Sequence, residues 1–295
     1  MKAGPRCISC LRRKQTQAAL SLPAGDRATF LAEIEEIIAT YGGKESSPAL
    51  AARADSAYAR YAPSEDVTAL KSSFNRLLLS REEEFTRRIS ASVEPVRTAV
   101  GYACAANYID FSAVENVNEQ TLNYLLEGAS SEAISEEEYV CFKADLAKAK
   151  KLVYVCDNCG EIVLDKLLMK TIKQTFPQIE ITALVRGGNV TNDATLADAE
   201  EAGLSGVARC MGNGNSAPGT VLSLLSTEAL SSLKEADVII SKGQGNFESL
   251  CEEGLDPYFL LLCKCEMYVE RFGLKQFTPV FVKESHLRGA ADYMV

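Results

Sequence analysis

Basic charge is scarce in this chain, with 31 Lys and Arg against 40 Asp and Glu over 295 residues. The resulting net charge of −9 argues against nucleic acid or any other polyanion as a partner. Long apolar runs are also missing. No segment reaches the roughly 18 consecutive apolar residues that a membrane span needs, and the opening MKAGPRCISCLRRKQTQ has no apolar stretch of the signal-peptide kind. The expectation is a soluble, cytoplasmic protein without a membrane partner. The only histidine is His286, so a Cys2His2 zinc site is excluded, and a lone histidine of this kind reads as a surface or packed residue. Neither G-x-x-x-x-G-K-[ST] nor G-x-G-x-x-G occurs in the glycine-rich segments GNGNSAPG (212–219) and KGQGN (242–246).

What is present is ordinary for a globular protein: 47% hydrophobic and 24% charged residues, enough for one large domain or a domain with an appendage. The ten cysteines, spread along a chain with no signal peptide, read as reduced thiols. Cys104, Cys141, Cys251, Cys263 and Cys265 lie in or beside apolar runs and read as core. Cys7 and Cys10 form a single CxxC, which supplies two of the four ligands of a structural zinc site. Cys156 and Cys159 would have to complete it, and a redox or buried pair is the simpler reading.

Two halves differ in pattern. Residues 15–150 place apolar residues three and four apart in FLAEIEEIIATYG, Pro48 to Tyr61, VTALKSSFNRLLLSREEEFTRRISAS, VRTAVGYACAANYIDF and SEEEYVCFKADLAKAKK. Breaks fall at Gly42-Gly43, Pro48, Pro63-Ser64 and Pro95, and Ser64 with Glu65 and Asp66 reads as a helix start. From Lys151 short β-branched runs alternate with loops and helical patterns: KLVYVC, EITALV, GVARC, DVIIS and a fifth, TPVFV. The expected architecture is α/β, a helical domain (1–150) packed on a Rossmann-like, doubly wound, mostly parallel sheet domain (151–295). Right-handed connections then open every loop that follows a strand onto one sheet edge.

The loops on that edge carry the candidate chemistry. Asp157 and Asn158, directly after the first strand, offer hard oxygens to a divalent cation, and equally suit a helix cap. Glu161 and Asp165 share one face of the following helix. After the second strand, Asp193 is a second carboxylate for the metal, Asn189 and Asn192 add amides, and Arg186 offers a planar fork to phosphate. After the fourth, Lys242 and the amides of Gly243, Gly245 and Asn246 suit an anion cradle. Acidic and basic loops on one edge point to a metal ion bridging protein carboxylates and a phosphate ester. The strand-end sequence Asp157-Asn158-Cys159 lacks the D-x-D of haloacid-dehalogenase-type phosphatases, so Asp157 is not assigned as a covalent nucleophile.

Strand-DNxGE, then RGxxxxND, then strand-KGxxN, preceded by the A-x-N-x-x-D segment from Ala105 to Asp110, resembles the damage-control phosphatases over nearly the whole chain. The CxxC followed by Gln15 resembles the prokaryotic branch of that family. The resemblance implies Asp157, Asn158 and Asp193 as metal ligands, with Asp157, Asn158, Asp193 and Lys242 carrying the chemistry. It also implies Lys242 to Asn246 as the loop that holds the substrate phosphate. Asn107 and Asp110 approach from the helical domain, and Lys264 stands in for a basic residue of the family, although the eukaryotic RTxK pattern is absent. The implied activity is hydrolysis of small phosphorylated metabolites, sugar phosphates or damaged intermediates, supported by magnesium, manganese, cobalt or nickel. A water positioned by Glu161, Asp110 or Asp193 would be the nucleophile. Two rivals remain: an S-adenosylmethionine-dependent carboxyl methyltransferase, whose first loop would be glycine-rich, and a sensor that binds phosphate esters without turnover.

Overall fold

The computed structural model describes residues 1–63, 66–110, 117–129 and 134–287. The expected helix start at Ser64-Glu65 lies outside them. Three helices, α1 (Pro5–Ala19), α2 (Arg27–Tyr41) and α3 (Ser47–Tyr58), form a bundle of their own. Its core is written four residues apart: Leu11, Gln15 and Ala19 on α1, Phe30, Ile34 and Ile38 on α2, Leu50 and Ala54 on α3. Full burial of Phe30 alone contributes roughly 2–3 kcal/mol. The Ser46 side chain accepts from the Ala49 N–H at 3.4 Å and caps α3, with Pro48 in the first turn. α1 begins ten residues before the periodicity at Gln15 and contains both Cys7 and Cys10, half-buried one turn apart.

Helices α4 (Thr68–Leu79), α5 (Glu82–Ala91), α6 (Pro95–Ala106), α7 (Glu119–Glu127) and α8 (Glu136–Lys148) follow. The single helical stretch expected over 67–92 is broken at Ser80-Arg81. From Lys151 the chain alternates: β1 (Lys151–Val155), α9 (Glu161–Thr175), β2 (Glu180–Val185), α10 (Leu196–Glu201), β3 (Arg209–Gly212), α11 (Thr227–Glu235), β4 (Val238–Lys242), α12 (Gly243–Leu250), β5 (Tyr258–Leu262), α13 (Glu266–Phe272), β6 (Pro279–Lys283) and α14 (Glu284–Leu287). The sheet order is β3-β2-β1-β4-β5-β6, parallel except for β6, which pairs antiparallel with β5. This is the doubly wound order with a reversed last strand.

The structure adds a strand that the sequence pattern does not announce: YFLLL is β5, buried at all five positions and therefore without the alternation that marks a half-buried strand. TPVFV is consequently the sixth strand, and being antiparallel it delivers its following residues to the opposite edge. Glu284 N–H there bonds Pro257 O, just before β5, and His286 Nδ1 meets Glu138 Oε1 at 2.7 Å.

Alternate residues of the strands feed two cores. Leu152, Tyr154, Ile240, Leu260 and Leu262 pack with the helices α4 to α9. Val153, Val155, Ile239, Phe259 and Leu261 pack on the other face with α11, α12 and α13. α9 is buried on nearly every side because it lies between the sheet and α4, α5 and α6. Its entry needs glycine: Gly160 has φ +71°, and a Cβ there would sit 2.9 Å from Ile109 Cδ1 and 3.1 Å from Phe74 Cβ.

Candidate active site at the strand switch point

β1 and β4 are neighbours whose following connections run to opposite faces, so a crevice opens at their carboxyl ends. Asp157 stands at the end of β1 and Gly243 at the end of β4. They are so close that a Cβ on Gly243, where φ is +75°, would lie 1.8 Å from Asp157 Oδ2 and 2.4 Å from its Cγ. Only glycine fits beside this carboxylate.

Backbone bonds stitch the loops after β1 and β2 together. Ala194 N–H donates to Asp157 O at 2.7 Å, Cys159 N–H to Asn192 O at 2.8 Å, and Asn158 and Asp193 form an isolated antiparallel bridge. Asp157, Asn158 and Asp193 therefore converge from 36 positions of sequence separation. The second loop runs into α10 through a capping box in which the Thr195 N–H and hydroxyl both donate to Asp198 Oδ2. Lys71 of α4 pairs with the same carboxylate at 2.7 Å. Asn75, also on α4, accepts the Gly160 N–H at 2.6 Å and donates to Asp198 and Glu201, so the helical half clamps both loops.

Inside this frame the polar side chains form one network. Asn107 Nδ2 donates to Asp157 Oδ2 at 3.1 Å and Glu161 Oε2 at 2.9 Å, while its Oδ1 accepts the Leu262 N–H. Asn158 Nδ2 donates to the same two carboxylates at 2.8 and 3.1 Å, which leaves its carbonyl oxygen for another ligand. Arg186 Nε meets Asp193 Oδ2 at 2.5 Å and its Nη1 donates to Thr220 at 3.1 Å. Its Nη2 is buried with no hydrogen bond, 3.6 Å from Asp157 Oδ1. Lys264 donates to Asp110 Oδ2 at 2.7 Å, with the lysine fully buried.

Burial first, then repulsion by Glu161 and Asp193, pushes the Asp157 carboxyl well above its usual range. Burial also raises Asp193, with Arg186 pulling in the opposite direction. Among the described residues Asp110, Asp157, Glu161, Asp165 and Asp193 face Lys242, Lys264 and Arg186, a formal excess of two negative charges in a buried cluster when every carboxyl is ionised. That is the charge of one divalent cation. Among the described residues no three Cys, His, Asp or Glu side chains form a ready metal cage; the oxygens that the joined loops bring together are the Asp157 and Asp193 carboxylates and the Asn158 carbonyl. These are hard oxygen donors of the kind magnesium and manganese accept with water and phosphate completing the shell. The residues fit the metal.

Several predicted residues sit differently from the expectation. Lys242 is wholly buried and spends three donor bonds inside the protein, on Glu161 Oε1 (2.9 Å), Asp165 Oδ1 (2.6 Å) and Ala103 O (2.9 Å). It is an internal counter-charge instead of a free phosphate ligand. Burial alone would lower its pKa, but Asp165 and Glu161 overcome that and raise it. The Asn246 side chain ties α12 to Cys156 O and Lys242 O and accepts from Thr220. The Asn192 amide donates to Ile109 O at 3.1 Å. Asn189 is exposed, and Gly245 is packed near Gly219, where a Cβ would meet Gly219 N at 3.5 Å. Sequence reasoning overlooked Thr220, Asn75 and Lys71, which lie in or against the site. Only GNGNSAPG, the third polar loop, carried a signal for Thr220.

Comparison with known proteins gives one answer. Residues 3–280 match the model of the damage-control phosphatase ARMT1-like domain. An uncharacterised protein of Methanocaldococcus jannaschii is 30% identical over 96% of each chain. A damage-control phosphatase of Archaeoglobus fulgidus is 34% identical over 63% of this chain and 64% of its own, and one of Pyrococcus horikoshii is 32% identical over 63% and 66%. The crystal structure of a DUF89 family protein from Pyrococcus horikoshii superposes with a TM-score of 0.78 at 22% identity, covering 96% of this chain and 99% of that one. With the fold shared throughout and the family model matched from the first helix to the last strand, this chain belongs to the damage-control phosphatase ARMT1-like family.

Proposed function

We propose that the protein is a metal-dependent phosphoric monoester hydrolase acting on small phosphorylated metabolites. The observation that carries this reading is the formal excess of two negative charges among the described residues of the buried switch-point cluster, with the Arg186 guanidinium set between Asp157 and Asp193 and its Nη2 without a hydrogen bond. Names of the archaeal relatives support the reaction class.

Asp157, Asn158 and Asp193 would hold magnesium, manganese, cobalt or nickel. Such an ion, when bound, polarises a phosphoryl oxygen and acidifies a water. The remaining work belongs to the chain. Arg186 Nη2, buried and without a hydrogen bond, has a donor to give to a phosphoryl oxygen, and Nε bonded to Asp193 fixes its plane. Lys264, held by Asp110, brings a second cation from the end of β5. Gly243 removes the side chain that would block Asp157 and opens α12, whose first N–H groups, free as at any helix start, suit an anion. Glu161 accepts from Lys242, Asn107 and Asn158 on both oxygens, so it orients neighbours. Orientation of the attacking water then falls to Asp110 or Asp193.

The test is phosphate release from a panel of sugar phosphates and p-nitrophenyl phosphate, with each of the four metals and with none, for wild type and Asp157→Ala. Release that requires metal and disappears in the variant supports the proposal. No release with any metal, while a phosphate ester still raises thermal stability, would replace the hydrolase by a binding protein.

A further inference from the structure

Beneath the switch point lies a polar layer that none of the roles above requires. Asp165, four residues beyond Glu161 on α9, is fully buried. Its Oδ1 accepts from both Lys242 Nζ (2.6 Å) and the Tyr154 hydroxyl (2.7 Å), and its Oδ2 has no hydrogen-bond partner. Lys242 in turn donates to Glu161 Oε1, and Glu161 Oε2 receives the amides of Asn107 and Asn158. The same two amides donate to Asp157 Oδ2. A continuous chain of hydrogen bonds thus runs Tyr154, Asp165, Lys242, Glu161, Asn107 and Asn158, Asp157.

We propose that Asp165 is a positioning residue for the metal site: by sharing Lys242 with Glu161 it keeps Glu161 available to the two amides, which aim the Asn158 carbonyl and the Asp157 carboxylate at the cation. Two physical effects point the same way. Without the Asp165 charge, Lys242 has Glu161 as its only anionic partner and draws it away from the amides. The cluster also gains one unit of positive charge, which opposes a cation. Outer groups of this kind typically alter metal affinity 10–100-fold. The proposal rests on the metal reading above.

Asp165→Asn is the suitable variant because an amide keeps both acceptor bonds at Oδ1 and the side-chain volume and removes the charge, while its Nδ2 donors replace the partnerless Oδ2 and lower stability. Manganese binding to chelator-stripped protein is titrated by the electron paramagnetic resonance signal of free Mn(II), with circular dichroism confirming the fold. The expected result is a Kd raised about tenfold, with kcat restored at saturating manganese and KM for p-nitrophenyl phosphate unchanged, since Asp165 touches no substrate. A Kd within about twofold of wild type in a folded variant overturns the proposal. So does a kcat that stays low at saturating metal. If Asp165→Asn does not fold, Tyr154→Phe decides: a Kd raised about two- to threefold supports the chain of bonds, and an unchanged Kd overturns it. Wild type that binds no manganese at all sinks the metal reading itself, a failure distinct from equal binding by both proteins.

Discussion

Gly243→Ala places two separate costs on one methyl group. The first is local: φ at +75° is a conformation in which an L side chain costs about 1 kcal/mol. The second is the site. The new Cβ would lie 1.8 Å from Asp157 Oδ2, 2.4 Å from Asp157 Cγ and 3.1 Å from Asn107 Nδ2. Restoring ordinary contact requires the carboxylate to move by about 1.5 Å. That displacement gives up the bonds from Asn107 and Asn158, each contributing about 1 kcal/mol or more. The expected loss is therefore about 3–5 kcal/mol of stability, together with most of the metal affinity. Gly254→Ala is the control, because φ is +79° there and nothing lies within 4 Å of the added Cβ. It should lose about 1 kcal/mol and no activity. Urea unfolding of both variants, paired with metal-dependent phosphate release, reads the difference. Equal stabilities and full activity in Gly243→Ala would refute the argument that this glycine exists to admit Asp157.

Other perturbations follow from the same geometry. Lys242→Met removes the counter-charge of Glu161 and Asp165, both fully buried, and should cost about 3–5 kcal/mol in urea unfolding; a loss below about 1 kcal/mol would return Lys242 to the role of phosphate ligand. Asn75→Ala orphans the Gly160 N–H and releases Asp198 and Glu201, with an expected loss of about 2 kcal/mol. Burial lifts the Glu248 carboxyl to about 7, against hydrogen bonds from Tyr268 and Ser47 that lower it. A folded-state pKa above the unfolded value of 4.5 means stability present below pH 4.5 is lost as pH rises through 7. Glu248→Gln should therefore be more stable than wild type at pH 8, by at most about 3 kcal/mol, and differ little at pH 4.5. An equal gap at both pH values would contradict this.

The sequence carried the parallel strands β1 to β4 because β-branched runs followed by polar loops and helical periodicity are local signals. β5 escaped because YFLLL is buried on both faces and reads as any apolar run, and with it went the topology that sets Lys264 against Asp110. The Asp157-Asn158 and Asp193 loops were legible as residue types at strand ends. Their joining by the Asn158 to Asp193 bridge was not, since it is a backbone pairing across 35 residues. Lys242 illustrates the larger limit. Its position after a strand and before two glycines suits a phosphate cradle, but whether its ammonium faces a ligand or a buried carboxylate pair depends on how α9 packs against β4, 77 residues away from Asp165 in sequence. Tyr154, written as one letter of an apolar strand, hides a hydroxyl that completes that inner network.

We propose above that Asp157, Asn158 and Asp193 hold a divalent cation that supports hydrolysis of a phosphate ester. Anomalous diffraction from a crystal soaked in manganese tests it most directly. One peak is expected within about 2.0–2.3 Å of oxygens from all three residues, absent in Asp157→Ala. A peak elsewhere, or none at saturating manganese, would contradict it.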